Sequence, residues 1–169
     1  FREPGGTNLS EKLRSLMLNK KSALSNKTDL FLLMASRSEN VDKILKKNYK
    51  KKVILIDRFI DSTIAYQHYG MKLDKDVILK MNNFLLGNLR PNFTFLSIVN
   101  KKNMLKRLKL RKNKNKYDHF DYNFYNKVQK GFLEIANKNK SKYLILDSNK
   151  DNLKIIETKL INKIERILK

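Results

Sequence analysis

Asp57 and Arg58 stand side by side in "VILIDRF" (Val53–Phe59), where an apolar run gives way to charge. An Asp at such a point can hold Mg²⁺, directly or through water. An Arg there can fork onto a phosphate or a carboxylate. The same pair can equally be a structural ion pair capping a strand. Arg2, in "FREPGGT" just ahead of Gly5 and Gly6, and Arg37, in "LFLLMASRSE", are two further candidate phosphate forks. Arg37 lies in a largely apolar stretch, where a charge is costly unless paired. A surface guanidinium shielding a helix is the competing reading. "RLKLRKNKNK" (Arg107–Lys116) is a denser basic segment ending in a polar loop. It is either a solvated face or a lid that closes on polyphosphate. His68 and His119 lack metal-ligand spacing, and no Gly-x-Ser-x-Gly elbow or other nucleophile signature occurs. The chemistry on offer is the positioning and neutralisation of anionic groups.

The 169 residues suffice for one buried core, and the chain contains no cysteine. Disulfides and thiolate metal sites are therefore excluded, and a reducing cytoplasm is the expected home. No apolar run approaches the ~20 residues of a membrane helix. The formal net charge of +22 favours an anionic partner. Most of the excess is Lys interleaved with Asn along the whole chain, as an adenine- and thymine-rich genome would encode. The few Arg are the more informative cations. Tyr and Phe alternate with Lys around Tyr117–Tyr125, a possible nucleic-acid stacking surface. The spacing of Phe120, Phe124 and Val128 more simply faces a core, so specific nucleic-acid binding is not expected.

These residues need elements to hold them. Thr7 is placed to cap a helix with Leu9, Leu13, Leu16 and Met17 on one face. Thr28 is expected to cap a second helix, about Asp29–Lys46, burying Leu30, Leu33, Met34, Val41, Ile44 and Leu45. "VILIDRF" reads as a strand buried on both faces. "DSTIAYQHYG" reads as a short helix closed by Gly70, and "DKDVILKMNNFLLGNL" as another with Gly87 near its end. Strands are expected at Phe93–Val99 and Tyr143–Ser148. Helices are expected over Asn100–Arg111, over "FDYNFYNKVQKGFLEIANK", and over the last twenty residues, with Leu153, Ile156, Leu160, Ile164 and Leu168 inward. Strand and helix alternate, which predicts a three-layer α/β domain with a parallel sheet, spanning residues 1–169. Ligands in such folds bind at the C-terminal strand ends. That rule marks Arg2–Gly6, Asp57–Ser62 and Asn100 onward, which are expected to converge.

In type, order and spacing, "REPGGT", "ASR", "DRFIDSTIAYQ", "RPNFT" and a basic segment with Arg107, Arg111 and Lys116-Tyr117-Asp118 resemble the bacterial thymidylate kinase family. The resemblance runs essentially the whole length. It implies a P-loop NTPase-like nucleoside monophosphate kinase fold, a parallel sheet flanked by helices. It implies transfer of the γ-phosphoryl of ATP to dTMP, with Mg²⁺, giving dTDP for dTTP synthesis. An acceptor phosphate is already anionic, so positioning and charge neutralisation suffice. Carried over residue by residue, Arg2 would hold the monophosphate and Arg37 would reach toward the base and the acceptor. Asp57 would order Mg²⁺, and Arg58 would bridge the acceptor and transferred phosphates. Ser62, Thr63 and Gln67 would bond the base edge, and Tyr66 would pack on the sugar. Arg107, Arg111 and Lys116 would meet ATP from a lid around 107–118, with Arg111 at the donor end. A cytoplasmic homodimer without membrane contact is implied.

Five positions depart from the family pattern. Leu33 stands where a base-stacking Phe is usual, and Ile98 where Asp is usual. His68 and Met71 replace the usual Gly and Arg after the Gln, and Lys116 replaces an Arg. The family's Gly-x-x-x-x-Gly-Lys-[Ser/Thr] loop, which cradles ATP phosphates, does not occur in the chain. In the family it precedes "REPGGT", so an ATP-binding strand–loop–helix ahead of Phe1 is expected. Residues 1–169 alone are then expected to fold poorly and to phosphorylate nothing. The alternative is a degenerate, non-catalytic paralogue that binds nucleotide or nucleic acid.

Overall fold

The structure, a computed structural model, describes residues 1–168. They form two compact units: Phe1–Arg90 with Lys114–Phe132, and Pro91–Asn113 with the chain from Leu133 onward.

In the first unit, α1 (Asn8–Leu18) starts where the Thr7 side chain accepts the Ser10 N–H. Met17 is buried, but Leu9 and Leu16 are about half exposed, so the expected four-residue apolar face is only partly inward. Helix α2 (Asn26–Asn40) begins earlier than expected. Ser25, not Thr28, caps it by accepting the Thr28 N–H. Ser25 lies just outside the helix, where a hydroxyl can take up a free N–H; Thr28 is already helical. Leu30, Leu33, Met34, Val41 and Leu45 are buried along this helix and its π-helical continuation, Val41–Leu45. A short turn, α3 (Lys46–Asn48), ends it.

The segment Val53–Phe59 is extended but is not a strand. A single parallel bridge, Arg2 to Asp57, joins it to the N-terminal residues. Its bonds are Glu3 N–H to Asp57 O and Asp57 N–H to Phe1 O, both 2.9 Å. A ladder needs a row of partners, and Phe1–Glu3 provides only one step of it. Val53 and Leu55 are accordingly exposed, while Ile54, Ile56 and Phe59 pack on Val41, Leu45 and Leu86. The chain then turns into α4 (Ile60–Thr63), a seven-residue π-helix (Ile64–Gly70), and α5 (Lys75–Leu86). Asp74 caps α5, and Gly87 ends it at φ +53°. Segment Tyr122–Phe132 of α7 (Tyr122–Lys138) completes the unit. Phe124 and Val128 pack there on Ala65 and Met71, as their spacing predicted. Gly70 and Gly131 permit this approach. A Cβ at Gly70 would lie 2.6 Å from the Phe124 ring, and one at Gly131 would lie 2.5 Å from Tyr69.

The second unit holds the sheet. β1 (Thr94–Ile98) pairs in parallel with β2 (Tyr143–Asp147), Thr94 opposite Tyr143 and Ile98 opposite Asp147. Helix α6 (Lys101–Leu110) follows β1 after an Asn100 cap, and α8 (Leu153–Leu168) follows β2. On α8, Ile156, Leu160 and Ile164 are half-buried, but Leu153 and Leu168, expected inward, are exposed at 84% and 60%. They occupy the first and last helical positions, beyond the turns that have a neighbour to cover them.

Candidate functional site

The turn after Phe1 is held from below by a buried polar network. Glu3 is 2% exposed and Arg37 1% exposed, and Arg37 Nε donates to Glu3 Oε2 at 2.8 Å. Arg37 also donates to Asn82 Oδ1 and lies over the Phe59 ring, 5.1 Å from its centroid. Asn40 donates to Gly5 O at 2.7 Å and to the other oxygen of Glu3 at 3.3 Å. Ser36 accepts the Gly5 N–H, and Ser10 donates to Asn40 and to Ser36 O. Gly5 and Gly6 have φ of +125° and +112°, where side chains are disfavoured. A Cβ on Gly5 would meet Glu11 Oε1 at 2.5 Å.

Above this network the backbone presents charge. Phe1, Arg2, Gly6, Glu11 and Asp57 line one open depression. Glu11 accepts the Gly6 N–H at 3.1 Å and pairs with Arg2 at 3.3 Å. The Gly6 N–H bond, and then Arg2, hold its carboxyl below the usual range. Arg14 donates to Pro4 O at 2.9 Å. Its guanidinium is pushed down first by burial and then by the charge of Arg2, with Arg58 adding to it. Arg2, Arg58 and the acidic Glu11 and Asp57 thus all bear on the Arg14 guanidinium. Arg58 adopts φ +66°, a left-handed backbone that a non-glycine residue holds at a cost of roughly 1–2 kcal/mol. Its guanidinium lies 5.1 Å from the centroid of the Tyr66 ring.

The helix from Ile60 carries the remaining candidates. Ser62 is half-buried, and Thr63 and Gln67 are buried. Thr63 Oγ1 and Gln67 Oε1 are buried oxygens without a hydrogen-bond partner among the described residues. The π-helical stretch places Thr63 and Gln67 nearly one turn apart, and π segments recur at functional sites. Tyr66 is fixed edge-on among Tyr117, Phe124 and Phe132 at centroid distances of 6.0–6.4 Å. Gln67 Nε2 donates to Asp29 Oδ2 at 3.2 Å, and Tyr117 Oη donates to the same oxygen at 2.7 Å. Lys116 Nζ donates to Asp29 Oδ1 at 3.2 Å. Burial, and then the Asp29 charge, push the Tyr117 hydroxyl far above its ordinary range.

The structure brings together Arg2, Asp57 and Arg58, and sets Ser62, Thr63, Tyr66 and Gln67 on the helix that follows. Arg37 is placed otherwise than its expected role required: its side chain is turned inward and committed to Glu3 and Asn82. A charge in an apolar stretch is stable there only when paired. Leu33 is buried on α2. Lys116 is held by Asp29, while Arg107 and Arg111 are exposed residues of the second unit. Sequence reasoning missed Glu3, Glu11, Arg14, Asp29 and Asn40. Two signals were present: Asp29 and Arg37 share the helical face of buried Leu33 at four-residue steps, and Glu11 and Arg14 are one turn apart just after the glycines.

A family model for thymidylate kinase matches residues 1–160. The chain is 44% identical to the thymidylate kinase of Wolbachia pipientis over 138 residues, 81% of this chain and 67% of the relative. It is 34% identical to that of Bacillus licheniformis over 172 residues, 99% of this chain and 81% of the relative. Among solved structures, that of thymidylate kinase from Ehrlichia chaffeensis superposes with a TM-score of 0.73 at 30% identity, covering 97% of this chain and 78% of that one.

Proposed function

The chain belongs to the thymidylate kinase family, and we propose how its residues carry the reaction. That reaction is phosphoryl transfer to dTMP with ATP as co-substrate; a non-catalytic paralogue is not favoured. The carrying observation is the bridge of Arg2 to Asp57, with Arg58 next in the chain and Arg14 bonded to Pro4 O, beside the double-glycine turn. The charges of Arg2 and Arg58 both press on Arg14, and an anion of high charge density, as a nucleotide phosphate is, relieves such crowding. Arg2 holds the acceptor monophosphate. Arg58, aimed by its left-handed backbone, spans the acceptor and transferred phosphoryl groups, where charge develops in the transition state.

Asp57 fits Mg²⁺. Its side chain is exposed at the depression, and Mg²⁺ is ordinarily held by one or two carboxylates, substrate phosphates and water. When bound, the ion would neutralise phosphate charge. Thr63 and Gln67 offer buried, unpartnered oxygens to the base edge, with Ser62 beside them, and Leu33 covers the base with apolar contact. Tyr66, immobilised by three rings, packs on the sugar. Arg107 and Arg111 are assigned to ATP from a lid at 107–118; Lys116, expected to join them, is instead committed to Asp29. No described helix is long and apolar enough to cross a membrane. A cytoplasmic homodimer, without specific nucleic-acid binding, completes the reading.

The test is a coupled assay of ADP release by the full-length protein with ATP, Mg²⁺ and dTMP. Saturable turnover that Arg58→Ala lowers in kcat by 100-fold or more is expected, the size typical of losing one transition-state donor, about 10²–10³. Unchanged kcat in that variant would overturn the assignment of Arg58.

A further inference from the structure

Asp29 is wholly buried and is used by no step above. An ionised carboxylate accepts hydrogen bonds and donates none. Three donors from two other elements end on it: Gln67 Nε2, Tyr117 Oη and Lys116 Nζ. A glutamine amide has two faces of opposite hydrogen-bond sense. Because Asp29 only accepts, it selects the NH₂ face of Gln67 and leaves Oε1 pointing away from it. That oxygen is buried and has no hydrogen-bond partner among the described residues.

We propose that Asp29 is a specificity-positioning residue: it fixes the Gln67 amide so that the site offers a carbonyl oxygen, an acceptor, to the nucleobase. The inference rests on the reading of Thr63 and Gln67 as base-edge residues. An acceptor matches a pyrimidine whose ring N3 carries hydrogen, as thymine does. It opposes cytosine, whose N3 is itself an acceptor, because two acceptors would be buried face to face. A site built on such a bond rejects the wrong partner far more strongly than an apolar pocket does.

Asp29→Asn tests this with little change of shape. Lys116 has only donors to offer, so it keeps the amide oxygen of the new side chain on its own side. The new NH₂ then faces Gln67 and selects its carbonyl. The Gln67 amide turns over and presents NH₂ to the base. The expected result is a fall of at least 10-fold in the ratio of kcat/KM for dTMP over dCMP. Tyr117→Phe removes a neighbouring donor without altering the acceptor sense, and should leave that ratio unchanged. If D29N lowers both substrates equally, Asp29 is a scaffold residue only and the proposal is overturned.

A ligand-free measurement separates this from failure of the base-site reading. Gln67 side-chain amide protons bonded to a buried carboxylate should exchange slowly with water in NMR of the wild type, and faster in D29N. Slow exchange without any preference for dTMP would reject the base-site reading and keep the amide orientation. Fast exchange in the wild type would reject the orientation itself.

Discussion

The interior beneath the double-glycine turn and the interior around Thr63 and Gln67 are both buried and polar, yet they differ in completeness. In the first, both oxygens of Glu3, the Nε of Arg37, and the amide oxygen and nitrogen of Asn40 all have protein partners. In the second, Thr63 Oγ1 and Gln67 Oε1 have none among the described residues. A buried group without a partner costs free energy. Folding tolerates that cost where a ligand completes the bond. On the proposed reading the comparison separates scaffold from reading surface: closed polar networks hold the backbone in place, and open ones are completed by substrate.

The comparison breaks first at Glu3. Glu3→Ala strands Arg37 as an unpaired charge in the interior, and such losses cost about 3–5 kcal/mol. Urea denaturation should show a fall of that size in unfolding free energy, with dTMP turnover lost as the turn loosens. A loss below about 1 kcal/mol would mean that water reaches Arg37 and that the network is not closed. The next largest effect is expected at Gly131, which supports the open region. Gly131→Ala drives a methyl group into Tyr69, and overpacking of this kind costs about 1–3 kcal/mol. The KM for dTMP should rise with it, because the displaced helix carries Tyr66 and Gln67. Stability lost with KM unchanged would uncouple that support from the site.

This division explains what the sequence made legible. The parallel strands β1 and β2 were readable as short apolar runs, and helices α5, α6 and α7 as longer segments between them, with Gly87 marking the end of α5. "VILIDRF" misled because four apolar residues in a row state burial but not partners; only Phe1–Glu3 pairs with it, so Val53 and Leu55 are exposed. Arg2, Asp57 and Arg58 stood out as charges beside glycine or at the end of an apolar run. Arg37 was conspicuous for the right reason, charge among apolar residues, but the same fact admits a closed ion pair. Asp29 was hidden because its partners, Gln67, Lys116 and Tyr117, are distant in sequence, and a lone Asp near a helix start looks like a cap. The π-helical turn could not be foreseen, since no simple periodicity announces it.

Thr63 sharpens the comparison from the open side. Thr63→Val keeps the shape and deletes a hydroxyl that has no partner. The unfolding free energy should stay level or rise by up to about 1 kcal/mol, because an unsatisfied group has been removed. The dTMP kcat/KM should fall about 10-fold, the value of one modest hydrogen bond to the base. Destabilisation by T63V would show that the hydroxyl has a partner in the folded protein and belongs with the closed network.

The smallest effect is expected where the closed network meets solvent. Glu11 accepts the Gly6 N–H and pairs with Arg2, and these lower its carboxyl pKa in the folded state. The unfolded chain lacks both partners, so it binds the proton more readily. The resulting stability is fully present above the ordinary glutamate pKa. It is lost as pH falls through that value and on through the lowered folded one. Glu11→Gln removes this titration, so its unfolding free energy should depend less on pH over the acid range while matching the wild type more closely at its lower end. Because Glu11 and Arg2 are each about half exposed, solvent screens the pair, and the difference should shrink further in salt. A pH dependence identical in E11Q and wild type would show that the turn is held from below, by Glu3 and Asn40, without help from its exposed rim.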